Sequence, residues 1–144
     1  MSIRFERADD REVTFEIERT AFGRDLEAEI ARAVADDEGS FAFVAEADGD
    51  VIGHVQMSRA WIGDTPVLAL GPIGVMPARQ REGVGSTLVR AALAEATRRG
   101  ERAVMLLGDP AFYDRFGFLP AASFGIADPS EEHFMVAPLD GEPL

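Results

Sequence analysis

The stretch ALGPIGVMPARQREGVGSTLV, residues 69–89, begins as an apolar β-strand and ends in the first turns of a helix. Gly71, Pro72 and Gly74 interrupt the strand, and glycine weakens a hydrogen-bonded ladder that proline cannot join as a donor. Together they predict a β-bulge, which bends a strand and leaves backbone groups unpaired. Such groups are available to an extended ligand, although a bulge that only relieves strain in the sheet would use the same residues.

Two further glycines, Gly83 and Gly85, lie where the helix begins. Because they lack Cβ atoms, a ligand can reach the backbone N–H groups, and the positive end of the helix dipole favours an anion there. Arg79 and Arg81 add two cations. The pattern predicts a pyrophosphate site, while a tight turn alone would also use two glycines. A strand with free N–H groups followed by such a loop describes a coenzyme A site.

Hydrophobic periodicity along the chain predicts one α/β domain over residues 1–144, with elements in the order β-α-α-β-β-β-α-β-α-β-β. Asp48-Gly49 lies between two β-rich runs and predicts a hairpin turn. Asp109-Pro110 supplies a capping carboxylate and a proline suited to a first helical position. The predicted strands are 2–7, a run before the hairpin turn, 51–61, 67–75, 103–107, 118–126 and 132–138. The first predicted helix is capped by Asp9 or Asp10 and carries Val13, Ile17 and Ala21, and the other predicted helices lie within 25–36, 83–99 and 109–116.

Composition excludes several classes of function. The net charge of −12 disfavours nucleic acid, whose binding depends on neutralised phosphates. With no cysteine and two histidines, a metal site is not expected. No apolar run is long enough for a membrane span, and the N-terminus lacks the pattern of a signal peptide. We therefore expect a cytoplasmic protein without membrane or nucleic-acid partners, and a homodimer is compatible with the sequence.

Two motifs carry a family resemblance. GVMPARQREGVGSTLV, residues 74–89, resembles the acetyl-CoA signature of the GNAT N-acetyltransferase superfamily, with Gln80, Gly83 and Gly85 at its defining positions. GDPAFYDRFGF, residues 108–118, resembles the family's Phe-Tyr-x-x-x-Gly-Phe element and is similar to the YhbS-like branch in particular. The resemblance implies a mixed, mostly antiparallel central sheet of about seven strands, with flanking helices, that is splayed at the cofactor site.

The resemblance also implies acetyl-CoA as the acetyl donor and assigns its contacts. Backbone groups of the bulged strand would meet the thioester and the pantetheine arm, and amides of the following loop would surround the pyrophosphate. Two family features are missing, because Leu106 stands where an Asn is common and residues 67–75 contain no carboxylate. The implied cofactor-binding residues are Ile73, Gly74, Val75, Gln80, Arg81, Glu82, Gly83, Val84, Gly85 and Ser86.

Acetyl transfer to an amine needs a neutral amine and a protonated leaving thiol. At pH 7, deprotonating a lysine-like ammonium costs about 4.6 kcal/mol, so a base or desolvation must help. His54 is the candidate base, but a strand histidine is often a structural hydrogen-bonding residue, and ordered water leading to Glu46 or another carboxylate is equally open. Tyr113, the only tyrosine, is the candidate acid for the thiolate; otherwise it is a packed aromatic residue.

The sequence therefore predicts an enzyme that transfers acetyl from acetyl-CoA to a primary amine of a small molecule or peptide, by direct attack in a ternary complex. A non-catalytic module that binds or senses acyl-CoA is the alternative, since no general base is evident. An interaction protein whose glycines only shape turns is a third hypothesis. No residue in FGRDLEAEIARAVADDEGS, residues 22–40, identifies one amine as the acceptor.

Overall fold

A computed structural model describes residues 1–144, with seven strands in one mixed sheet of order β1-β2-β3-β4-β5-β7-β6. The strands are β1 (Ser2–Phe5), β2 (Phe41–Ala47), β3 (Asp50–Ile62), β4 (Thr65–Val75), β5 (Ala103–Leu107), β6 (Leu119–Pro120) and β7 (Phe134–Pro138). The helices are α1 (Arg11–Phe22), α2 (Leu26–Val34), α3 (Val84–Arg98) and α4 (Pro110–Tyr113). None of the helices has both the length and the apolar character that a membrane crossing requires. The predicted fold class is confirmed.

Residue contacts divide the chain into two compact units, each with its own buried core. The first comprises Met1–Ser58 and Leu70–Ala92, and the second comprises Arg59–Ala69 and Leu93–Leu144. In the first unit the fully buried apolar residues include Ile17, Val44, Val55, Leu88 and Val89. The second unit is centred on Val67, Ala103, Ala121 and Val136. The assignment of residues 1–144 to a single domain stays a prediction.

The turn between β2 and β3 is formed by Asp48 and Gly49, the two residues predicted to form it. Asp48 and Gly49 have φ values of 54° and 84°, and a type I′ hairpin turn requires positive φ at both central residues. The flanking residues Ala47 and Asp50 are paired in the antiparallel ladder. The hairpin prediction is therefore confirmed.

The strand β4 carries the distortion that its glycines indicate. It remains one strand through the cis Gly71-Pro72 bond, and Gly71 has φ 138°, in a region that favours glycine. Its parallel pairing with β5 consists of Leu68 with Val104 and Ala69 with Met105. The pairing of β4 with β5 therefore ends at Ala69, well before β4 itself ends at Val75.

The predicted strand over residues 118–126 is wrong. Only Leu119–Pro120 is a strand, and the chain then forms a 3₁₀ helix over Ala121–Phe124 that ends at Gly125, φ 71°. Pro120 has no N–H to donate to a continuing ladder, and Ala121 turns into the core, where it is fully buried. The strand predicted over residues 132–138 is shorter than expected and is limited to Phe134–Pro138.

Candidate active site

The start of α3 presents backbone donors without acceptors in the helix. The first bond of the helix runs from the Thr87 amide to the Gly83 carbonyl, at 3.1 Å. The amides of Val84, Gly85 and Ser86 precede this bond and so have no intrahelical partner. No acidic side chain lies in the first turn. The helix dipole and these donors together suit an anion.

The loop before α3 is held in shape by its own polar groups. Gln80 Nε2 donates to the Val75 carbonyl at 3.1 Å, and Arg79 Nε donates to Glu82 at 2.9 Å. Arg81 and Gly83 have φ values of 68° and 84°, a left-handed conformation that is costly for the arginine. Gln80 therefore contributes by tying the loop to the end of β4. The side chains of Arg81 and Glu82 are exposed.

Gly74 brings β4 close to α1. A Cβ atom at this position would lie 2.5 Å from Glu18 Oε1 and 3.3 Å from the Ala21 Cβ. Gly74 is buried, whereas Ile73 and Val75 on either side of it are partly exposed. The glycine is therefore needed here because the carboxylate of Glu18 occupies the space of a side chain.

His54, the candidate base, lies on β3 within a buried polar chain. Its Nδ1 is 2.5 Å from Glu18 Oε2, and its Nε2 is 3.4 Å from Glu6 Oε2. Thr14 donates to the same Glu6 oxygen at 2.6 Å. His54 is 1% exposed and Glu18 is 0% exposed. Burial raises the pKa of Glu18, and its hydrogen bond to His54 opposes that rise.

Glu18 is a candidate site residue that was not predicted from the sequence. The sequence feature that marks Glu18 is its position on α1. It lies on the same side of the helix as Thr14 and Ala21, since the three residues stand at helical spacing. The buried residues of this helix are Thr14, Ile17 and Glu18. A charged residue at a buried position of an amphipathic helix is uncommon unless it is paired, but the partner of Glu18 is His54, which lies 36 residues away.

Tyr113, the candidate acid, ends α4 in a cluster of aromatic rings. Its ring centroid lies 4.8 Å from that of Phe112 and 5.8 Å from that of Phe118, both edge to face. A side chain at Gly108 would overlap the tyrosine ring. Asp109 caps the helix by accepting from the Ala111 amide at 2.9 Å, as the sequence predicts. Burial raises the pKa of the Tyr113 hydroxyl.

The profile of the acetyltransferase (GNAT) family matches residues 7–118. The chain belongs to this family. It is 32% identical over 114 residues to the uncharacterized N-acetyltransferase YjhQ of Escherichia coli K12, a match that covers 74% of the chain and 63% of YjhQ. It is 34% identical over 108 residues to the uncharacterized N-acetyltransferase YhbS of the same strain, covering 72% and 65%. The chain thus spans just under two thirds of the length of these curated relatives.

Solved structures of GNAT proteins share the fold. E. coli YhbS in complex with CoA superimposes with a TM-score of 0.88 at 30% identity, covering 96% of the chain and 81% of YhbS. A GNAT acetyltransferase from Brucella melitensis in complex with acetyl-CoA gives 0.82 at 32% identity, covering 99% and 90%. The resemblance to the YhbS-like branch is confirmed.

Proposed function

We propose that this GNAT protein is an acetyl-CoA-dependent N-acetyltransferase whose acceptor is a primary amine of a small molecule or peptide. The observation that carries the proposal is the start of α3, where free amides follow an open loop at Gly83. The space beside Gly83 is open, since no protein atom lies within 4 Å of where its Cβ would be, and the first turn of α3 carries no acidic side chain that would repel a phosphate. The complexes of related GNAT proteins with CoA and acetyl-CoA support the same cofactor.

In this proposal the cofactor lies along β4 and the loop that follows. Backbone groups of Ile73, Gly74 and Val75 bind the thioester and the pantetheine arm, and the amides of residues 81–86 bind the pyrophosphate. The hydrogen bond from Gln80 Nε2 to the Val75 carbonyl joins the end of β4 to this loop. A preformed loop of this kind lowers the entropy lost on binding.

The proposed reaction is a direct attack of the amine on the thioester carbonyl in a ternary complex. The nitrogen forms a bond to the carbonyl carbon, the carbon–sulfur bond breaks, and the sulfur leaves as a thiolate. We assign Tyr113 as the acid that protonates this sulfur, on the strength of its place in the second motif. The amine must lose a proton as well, because an ammonium has no free electron pair with which to attack.

Binding and turnover test the proposal separately. Acetyl-CoA at 100 times its Kd should stabilise the fold by about 2.7 kcal/mol in a thermal-shift measurement. Thiol release from acetyl-CoA should then be screened against a panel of amines, and the chain, which has no cysteine, adds no thiol background. Binding with no turnover of any amine would instead assign the chain as an acyl-CoA binding module. Failure to bind would reject both functions.

The exposed guanidinium of Arg81 gives a prediction about the phosphates. If it meets the 3′-phosphate, Arg81→Ala should weaken binding of CoA more than binding of dephospho-CoA; support of the pyrophosphate alone would weaken both equally. A hydrogen bond to a charged group contributes about 1.5–3 kcal/mol, or roughly tenfold or more in affinity. Calorimetry with both ligands measures the difference. Unchanged affinity for both would remove Arg81 from the binding site.

A further inference from the structure

The buried carboxylate of Glu18 has one oxygen that is bonded and one that is not. Oε2 is 2.5 Å from His54 Nδ1, while Oε1 is buried and makes no hydrogen bond within the protein. Buried polar atoms are nearly always hydrogen-bonded, because an unpaired one keeps the full cost of its desolvation. The free oxygen therefore calls for a donor that the folded chain itself does not supply.

The free oxygen points at one position of β4. Oε1 occupies the space that a side chain would fill at Gly74. Gly74 lies between Ile73 and Val75, in the stretch to which the proposed function assigns the thioester. The donor expected at Oε1 is therefore a group that arrives with the acetyl acceptor.

His54 fixes the other oxygen of Glu18, and the carboxylate of Glu6 lies on the far side of its ring. Its Nε2 lies 3.4 Å from Glu6 Oε2, to which Thr14 donates. A cavity of about 20 Å³ borders His54, Glu6 and Thr14, enough for one water molecule. The short Nδ1–Oε2 contact is consistent with a proton on Nδ1 that is donated to Glu18. Oε2 is then committed to His54, which leaves Oε1 for the incoming group.

We propose that Glu18 takes the proton from the acceptor amine and that His54 is its positioning residue, an inference that rests on the proposed acetyltransferase function. An N–H bond of the ammonium breaks and an O–H bond forms on Oε1. The nitrogen keeps the electron pair and uses it to attack the thioester carbonyl. A second proton leaves the nitrogen for solvent once the nitrogen–carbon bond has formed, and the sulfur takes its proton from Tyr113, whose hydroxyl is restored from solvent. The products are then a neutral amide and a neutral thiol.

The electrostatic setting agrees with this role. Burial raises the pKa of the Glu18 carboxyl and outweighs the hydrogen bond from His54, and the carboxylates of Glu27 and Glu6 raise it further. These groups face Glu18 from β3, from α2 and from the segment after β1. A carboxylate with a raised pKa is a stronger base toward an ammonium. Turnover should fall as the pH drops through that raised pKa, because a carboxyl that already carries its proton cannot take one from the ammonium.

The first test is Glu18→Gln, which keeps the shape of the side chain and an acceptor for His54 but removes the base. Thiol release should fall by about 10²- to 10⁴-fold, while acetyl-CoA affinity stays within about twofold, since no contact to the cofactor is lost. Glu16→Gln is the matched control, because Glu16 lies on the same helix and pairs with Arg19 at the exposed surface. Melting curves establish that both variants fold.

The second test separates a base from a merely structural residue. Its probes are ethylamine, a cation at pH 7, and 2,2,2-trifluoroethylamine, which is largely uncharged there and needs no proton removed before attack. Glu18→Gln should lower kcat/KM far more for ethylamine than for the fluorinated amine. Equal losses for both amines would overturn the proposal, as would full activity of the variant. The proposal would also be overturned if Glu46→Gln lost turnover while Glu18→Gln kept it.

Two more variants keep the test decisive. Gly74→Ala keeps the glutamate, but its methyl group would lie 2.5 Å from Oε1 and must displace the carboxylate. It should therefore lower turnover of ethylamine more than turnover of the fluorinated amine. His54→Gln should move the acidic limb of the pH profile, because it changes the group that holds Oε2; an unmoved limb would remove His54 from the proposal. Failure of the wild-type protein to acetylate any amine would overturn both the function and the base, whereas wild-type turnover with an unaffected Glu18→Gln overturns the base alone.

Discussion

Tyr113→Phe should lower kcat by about 10²- to 10⁴-fold and leave acetyl-CoA affinity nearly unchanged. The variant keeps the ring and its contacts with Phe112 and Phe118 and removes only the hydroxyl. That hydroxyl makes no hydrogen bond to another protein group, so its loss leaves no protein partner unpaired. In the proposed mechanism it donates to the departing sulfur, and this interaction exists only in the transition state. Such a loss appears in kcat and not in ground-state binding.

The pH profile gives an independent measurement of the same hydroxyl. Burial raises the pKa of Tyr113, so the proton donor persists to a higher pH than a free tyrosine, whose pKa is about 10. The wild-type rate should therefore fall on an alkaline limb above about pH 10, and the limb should be absent in Tyr113→Phe. Stopped assays of thiol release at buffered pH values would record both profiles.

Phe112→Leu is the control for packing in this prediction. It removes the ring that meets Tyr113 edge to face at 4.8 Å but keeps the tyrosine hydroxyl. This variant should lose stability and retain the alkaline limb. A Tyr113→Phe variant with full kcat and an unchanged limb would show that Tyr113 is a packing residue and that water protonates the thiolate.

The features that the sequence predicted well are those set by neighbouring residues. Asp48-Gly49 determines its own turn, because both residues tolerate positive φ. The start of α3 is equally local, since it follows from glycines and a helical apolar pattern within a few residues of one another. The fold class followed from the order of such elements and from the two family motifs.

The features that the sequence did not predict depend on contacts between distant residues. Glu18 and His54 are 36 residues apart, and neither one marks the other in the sequence. The predicted strand over residues 118–126 is wrong for a related reason, because Ala121 is drawn into a core formed with Val67, Ala103 and Val136. Apolar residues that serve a core from a 3₁₀ helix give the same pattern as a short strand.

Gly85→Val should weaken acetyl-CoA binding by about 100-fold or more. The proposed pyrophosphate contacts are hydrogen bonds to a charged group, worth about 1.5–3 kcal/mol each, and a side chain that displaces two of them removes at least two factors of ten. Gly85 lies inside α3 without a positive φ, so valine adopts its backbone conformation readily. Glycine is also the weaker helix former of the two. Calorimetry should therefore show lost affinity in a variant whose helix propensity is undiminished.

Gly83 supplies the companion measurement because its backbone conformation has a match elsewhere in the chain. Gly83 and Gly63 have φ values of 84° and 59°, and neither has an atom within 4 Å of its missing Cβ. Gly83→Ala and Gly63→Ala should therefore lose similar stability, about 1–2 kcal/mol from the left-handed conformation. Only Gly83→Ala should also lose acetyl-CoA affinity, because only its methyl group lies beside the amides that start α3. Equal affinities in the two variants, together with wild-type affinity in Gly85→Val, would show that these glycines shape a turn and bind no phosphate.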